Sequence, residues 1–113
     1  MRARNALLAA PPHPVEIVLR RLGVHLKTAR LRRNLTIAEA AQKIGTSRFV
    51  VADAEKGKPS TGIAVYAALL WVYGLIEQLA DLTDPGKDEE GMALSRNRER
   101  SRARHGRRLD NDF

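Results

Sequence analysis

Cysteine is absent from the 113-residue chain, and long apolar runs are absent as well. The first absence excludes disulfide frameworks, Cys-ligated zinc modules and cysteine nucleophiles, and it fits a reducing compartment. The most apolar run, residues 63–76, is shorter than the ~20 residues that span a bilayer. Near the N-terminus, Leu7 to Ala10 is too short for the apolar region of a secretory signal. We therefore expect a soluble, cytoplasmic protein with no membrane partner.

Catalytic and metal-binding patterns are also missing. His13, His25 and His105 are widely spaced, and no two of them have the i,i+4 spacing of helical metal ligands. The string Gly57-Lys58-Pro59-Ser60 fails as a phosphate loop because its first glycine would fall at Ala52 and proline replaces the hydroxyl residue. A chain this short has no room for a large catalytic core. We expect no enzyme activity, no metal and no cofactor.

Basic residues, in contrast, are abundant. The chain has 20 Lys and Arg against 13 Asp and Glu, a net charge of +7 and a pI near 10.6. Residues 1–58 carry 12 basic and 4 acidic side chains, residues 59–94 carry 1 and 6, and residues 95–113 carry 7 and 3. Such a charge favours nucleic acid as the partner, although histones and membrane-surface helices share the signature.

Helical periodicity and capping residues dominate the first two thirds of the chain. After Pro14, apolar side chains recur at helical spacing: Val15, Val18, Leu19, Leu22, Leu26 and Ala29. Thr36 with Glu39 forms a capping-box pattern for a helix over 37–44, and Ser47 can cap a helix over 48–55. Three further helices are predicted, over 63–73, over 75–81 and from about 87 toward 98. Thr61 can cap the first of them.

The two short helices at 37–44 and 48–55 are joined by a tight turn at Gly45, which is the helix-turn-helix pattern. Gly45 permits the sharp turn, and the methyl side chain of Ala41 allows the second helix to cross closely. Ile44 and Val51 fill the angle between the helices. The second helix then presents its N-terminal side chains to the major groove.

The stretch 22–75 resembles the lambda-repressor-like, Xre/Cro family of DNA-binding domains. Its matching segments are LGxxLKxARLRRNLT (22–36), AAQKIGTS (40–47) and EKGKPS (55–60). The resemblance implies an all-α fold of five helices, with the third as recognition helix, and binding of palindromic operators as a dimer. Ile37 departs from the glutamine usual in the family, and Ala40 and Ala54 stand where leucine is common.

A second resemblance covers residues 68–94, which look like antitoxins of the HipB type. The shared pattern is a long apolar helix, Gly-Leu, an Asp-Pro loop and an acidic Glu-Gly-x-Ala-Leu segment. It implies a HipA-type serine/threonine kinase toxin as partner. The tail at 95–113 is longer and richer in arginine than in similar antitoxins. We expect three regions: a flexible arm (1–14), the DNA-binding and dimerisation domain (15–84), and an extension (85–113) whose basic tail is helical or disordered.

The candidate DNA-binding residues lie at the turn, on the recognition helix and at its exit: Thr46, Ser47, Arg48, Phe49, Ala52, Asp53, Lys56 and Lys58. Arg48 reads a guanine edge or holds a phosphate. Phe49 contacts thymine methyls, or belongs to the core or a dimer interface. Asp53 reads cytosine or is simply solvated, and the two lysines bind phosphates or lie in an ordinary turn.

Two further groups of residues are assigned structural roles. In similar domains the arginine at position 30 meets the glutamate at position 55, so the resemblance implies a salt bridge between Arg30 and Glu55. The helix at 63–73 has more apolar surface than a five-helix monomer covers. The predicted dimer interface is Val65, Tyr66, Leu69, Trp71, Val72, Tyr73 and Ile76.

These observations favour a repressor that is the antitoxin of a HipA-type operon, regulating its own promoter and neutralising the toxin. A stand-alone or phage-type Xre/Cro repressor without a toxin is the first alternative. A basic RNA-associated adaptor, working through the arginine tail, is the second.

Overall fold

The computed structural model describes the backbone of residues 5–111 and the side chains of residues 5–106. Over this range the chain forms seven α-helices, one 3₁₀ turn (Pro85–Lys87) and no strand. The helices are α1 (Ala6–Ala9), α2 (His13–Arg32), α3 (Ile37–Ile44), α4 (Arg48–Glu55), α5 (Ile63–Val72), α6 (Ile76–Asp81) and α7 (Glu89–Asn111). The all-α prediction is confirmed, and α2–α6 are the five predicted helices.

Local capping explains why α3 and α4 begin and end where the sequence predicts. The Thr36 hydroxyl accepts from the Glu39 amide at 3.0 Å, and the Thr36 amide donates back to the Glu39 carboxylate at 3.1 Å. Gly45 ends α3 with φ of 77°, a left-handed conformation that a side chain would strain. Ser47 then accepts from the Val50 amide at 3.4 Å and begins α4. The helix-turn-helix geometry is therefore encoded within twelve residues or so of chain.

Three boundaries differ from the sequence-based expectation. The N-cap of α5 is Gly62 rather than Thr61, and no side chain caps this helix. Residues 6–9, expected to be a flexible arm, form the short helix α1, which begins because Asn5 accepts from the Leu7 amide at 2.9 Å. The tail is helical as far as Asn111, well beyond the predicted end near Arg98.

The hydrophobic core is made by one face each of α2, α3, α4 and α5. Its buried members are Leu26, Ala29, Ala40, Ala41, Val51, Ala54, Tyr66, Leu69 and Tyr73. Ala40 and Ala54 are fully buried, so these small residues lie in the interior of the core. On α2 the apolar stripe reaches the core only from Leu22 onward, since Val15 and Val18 are exposed.

Two glycines allow α2 to pass directly against the chain at the end of α4. A Cβ atom on Gly23 would collide with the Glu55 carbonyl and lie 2.8 Å from the Gly57 amide nitrogen. A Cβ on Gly57, which has φ of 70°, would collide with the backbone of Leu19. The backbone of α2 can therefore contact the backbone at the end of α4 only because Gly23 and Gly57 both lack a side chain.

A compact first unit ends at Glu77. The second unit starts at Gln78 and consists of the end of α6, the 3₁₀ turn and α7. Asp84 accepts from the Gly86 amide, and Asp88 accepts from the Gly91 amide, each at 2.9 Å. These two aspartates set the start of the 3₁₀ turn and of α7, respectively.

Candidate nucleic-acid interface

The N-terminal end of α4 is open to solvent and carries the predicted base-reading side chains. Ser47, Arg48 and Phe49 are exposed, and Phe49 has 68% of its surface accessible. This exposure excludes the core alternative for Phe49. Ala52 and Asp53, one turn further on, are half-buried. The opposite face of α4 is fixed by the buried Val51 and Ala54, so the exposed face has a defined orientation.

Arg48 lies over the ring of Phe49, with the guanidinium carbon 5.2 Å from the ring centroid. This cation–π contact holds both side chains at the tip of α4 without engaging the guanidinium donors. A planar guanidinium with free donors can bond bidentately to a guanine edge or a phosphate. Arg48 also borders a shallow groove formed with the end of α2 and the start of α3.

Thr46 contributes to the turn itself. Its amide donates to the Ala41 carbonyl at 3.0 Å, which closes the C-terminus of α3, and its side chain is half-buried. Its backbone amide is therefore already committed within the fold. The position that follows, Ser47, keeps its hydroxyl at the surface while capping α4.

A basic cleft lies beside the exit of α4. Arg20, Lys56 and Lys58 line it together with residues 8–11 of the N-terminal segment. Lys58 pairs with Asp53 at 3.5 Å, and Arg20 pairs with Glu16 at 2.7 Å, both at exposed positions. Such exposed pairs are weak, so Lys58 and Arg20 can leave their carboxylate partners and bind phosphate oxygens instead. Glu16 also lines the cleft, so three basic side chains stand against one acidic side chain there.

A buried ion pair anchors α4 to α2. Arg30 donates from Nε to Glu55 Oε2 at 2.7 Å and from Nη2 to Glu55 Oε1 at 3.0 Å, and its Nη1 donates to the Leu35 carbonyl at 2.8 Å. The two side chains are 7% and 6% exposed. Hydrogen bonding to Glu55 raises the pKa of Arg30, against the opposing effect of burial. The pair implied by the resemblance is present, and all three guanidinium nitrogens are bonded.

Other ionisable groups around the interface have shifted pKa values with clear causes. The hydrogen bonds from Thr36 lower the pKa of Glu39, because they stabilise its carboxylate. Burial raises the pKa of Tyr66 and of Tyr73.

Arg33 donates to the Tyr73 carbonyl at 2.7 Å and lies 5.6 Å above the Tyr73 ring. That contact ties the C-terminus of α5 to α2, and nothing in the local sequence pattern indicated it.

The predicted dimer interface needs a correction. Tyr66, Leu69 and Tyr73 are 4%, 0% and 3% exposed because they pack in the core of their own chain. Their side chains are therefore excluded from a contact with a second chain. Val65 and Val72 are half-buried, Ile76 is partly exposed, and Trp71 is 64% exposed. The free apolar face of α5 is thus centred on Trp71, and it also includes the exposed Ile63.

Among the described residues, no group of three His, Asp or Glu side chains could hold a metal ion. In the same part of the chain, no helix has both the length and the apolar character needed to cross a bilayer.

A comparison with protein families identifies the domain that carries these features. A family model described as a helix-turn-helix domain matches residues 21–82, more than half of the chain. The chain belongs to the helix-turn-helix domain family. The match begins within α2 and extends past α6, so it includes the motif and the helices that support it. No curated protein matches the chain.

The helix-turn-helix domain makes this protein a DNA-binding regulator of transcription, and α4 is the second helix of its motif. Two structural features bear on how this domain would contact phosphates. Ile37, where similar domains have a phosphate-bonding glutamine, packs against the core instead. The exit of α4 and Arg20 line one cleft, and Gly23 and Gly57 allow these parts of the chain to come together.

Proposed function

We propose that this protein is a sequence-specific repressor that binds a palindromic operator as a homodimer. The observation that carries the proposal is the exposed N-terminus of α4, where Arg48 and Phe49 project from a helix whose other face is buried. In this proposal Ser47, Arg48, Phe49, Ala52 and Asp53 face the bases. Lys56 and Lys58 neutralise phosphates, and occupation of the promoter blocks transcription.

Dimerisation is proposed to use the free face of α5. This helix is apolar around its whole circumference. One chain buries Tyr66 and Leu69 and partly covers Val65, Leu70 and Val72, which leaves the side around Trp71 free. Trp71 and Val72 also line a shallow depression with Lys43 of α3. A two-fold contact through this face would be isologous, and a palindromic operator requires the dimer to hold its two recognition helices about 34 Å apart.

We further propose that the protein is the antitoxin of a HipA-type serine/threonine kinase. Support comes from the HipB-type pattern at 68–94 and from the acidic segment Asp81–Glu90, whose side chains are exposed. An acidic segment is repelled by DNA and is free to bind a protein partner. Co-purification of the chain with the product of the neighbouring gene tests this assignment. Recovery of no kinase would leave the stand-alone repressor as the function.

The decisive experiment on the repressor is a comparison of operator and random duplexes over a salt series. We expect affinity to fall steeply with salt, because bound phosphates release counterions, while the preference for a palindrome persists. Equal affinity for the two duplexes at moderate salt would contradict specific repression. Removal of residues 95–113 distinguishes the repressor from the RNA-adaptor alternative. Operator preference should survive that deletion if α4 reads the sequence.

A further inference from the structure

Arginines alternate along the middle of α7. Positions 96, 98, 100, 102 and 104 are all arginine, and every one of these side chains is exposed. None of the four ion pairs in the described part of the chain involves them. Five guanidinium groups on two and a half turns of helix repel one another, and they are best stabilised by an external polyanion.

The spacing of these arginines has a geometric consequence. In an α-helix, side chains two positions apart in sequence point about 200° apart around the axis, and side chains four positions apart point only about 40° apart. Arg96, Arg100 and Arg104 therefore form one row, and Arg98 and Arg102 form a second row on the opposite side. Along each row the arginines are about 6 Å apart.

Between the rows, the two remaining sides of the helix differ. Asn97 and Ser101 lie on one side and are short and uncharged, whereas the carboxylate of Glu99 lies on the other side. A helix with cations on two opposite flanks, small polar residues on one edge and an acid on the other suits a channel with two anionic walls. A single flat acidic surface would engage only one of the two rows.

We propose that α7 is a second DNA-binding element, which enters the major groove of duplex DNA with one arginine row on the phosphates of each strand. The major groove of B-DNA is about 12 Å wide and admits an α-helix, with a phosphate backbone on either side. The deep, narrow major groove of A-form RNA does not admit one. Asn97 and Ser101 face the groove floor and Glu99 faces solvent. Because most contacts are to phosphates, this element binds with little sequence preference. It adds a function beyond the proposed repressor.

The test compares two charge-matched variants of the full chain, R96Q/R100Q and R98Q/R102Q, in binding to a labelled duplex of random sequence. If both rows contact phosphates, each variant loses affinity by roughly tenfold at low salt, and the slope of log affinity against log salt becomes shallower by about two. Loss in only one of the variants would overturn the groove geometry. Double-stranded RNA of the same length should bind more weakly, and equal binding would also overturn it.

A second pair of variants distinguishes the helix from a flexible charged tail. Ser101→Pro interrupts the helix between the arginines without changing charge, and Ser101→Ala is its control. We expect weaker binding for the proline variant alone, with the loss of helix verified by circular dichroism. Affinity equal to wild type for Ser101→Pro would show that α7 need not be helical, and would contradict the proposal.

Failure of this proposal is separable from failure of the repressor function. The ratio of operator to random affinity reports on α4, whereas the random-duplex affinity that is lost when the α7 arginines are substituted reports on α7. If the α7 variants retain full random-duplex affinity while the operator ratio stays high, the α7 proposal fails and the repressor proposal stands.

Discussion

Gly23 of α2 lies so close to Gly57 after α4 that a Cβ on Gly23 would stand 2.8 Å from the Gly57 amide nitrogen. The obstructing atoms are backbone, so they cannot rotate away. We expect Gly23→Ala to lower the free energy of unfolding by about 1–3 kcal/mol, as overpacking does. Gly106→Ala, also in a helix but with nothing within 4 Å of its Cβ, is the control and should leave the melting temperature unchanged or slightly higher.

Removal of one partner from the Arg30–Glu55 pair should be costly. Arg30→Ala leaves a buried carboxylate and the Leu35 carbonyl without their donors, and we expect a loss of about 3–5 kcal/mol in denaturant unfolding. The control is Arg20→Ala, which breaks the exposed pair with Glu16 and should cost no more than about 0.5 kcal/mol. Similar losses for both variants would mean that burial does not determine the strength of the Arg30 pair.

The capping box of α3 should be sensitive to acid. The pKa of Glu39 is lowered in the folded chain below its ordinary value of 4.5. Its ionised form therefore stabilises the fold fully above pH 4.5, and this contribution is lost as the pH falls through the lowered folded-state value. Glu39→Gln keeps a side chain that can accept the cap bond but does not titrate. The difference in melting temperature between wild type and variant should shrink in acid, and a constant difference would contradict the assignment.

Arg48 and Lys58 are expected to affect DNA binding in different ways. If Arg48 reads a base, Arg48→Ala costs about 1–3 kcal/mol and relaxes preference at one operator position. Lys58→Ala should instead weaken binding to all sequences and give a shallower salt slope. Fluorescence anisotropy with operators mutated at single positions measures both effects. A uniform loss for Arg48→Ala would make it a phosphate contact.

Trp71 should control association of the chain. Trp71→Ala removes the largest exposed side chain of the free α5 face, while the core residues Tyr66 and Leu69 stay in place. We expect the variant to sediment as a folded monomer at a concentration where wild type is dimeric. Leu31→Ala, on the exposed side of α2, is the control and should remain dimeric. A monomeric wild-type chain at micromolar concentration would remove the basis for the dimer.

The sequence alone determined the helix-turn-helix segment because its signals are local. The hydrogen bonds of the Thr36 and Ser47 caps span three residues, and the conformation of Gly45 depends only on its own missing side chain. These interactions form wherever the segment is helical, so the bounds of α3 and α4 were predicted correctly. The Arg30–Glu55 pair was reached only through resemblance, since twenty-five residues separate its partners.

Only the tertiary structure decided which side of α5 is buried. This helix is apolar all round, so periodicity cannot rank one face above another, and Tyr66, Leu69 and Tyr73 were wrongly placed in the dimer interface. Packing against α2, α3 and α4 selects that face for the core and leaves Trp71 outside. The contact between Gly23 and Gly57 is likewise non-local, because it exists only where two distant backbones cross.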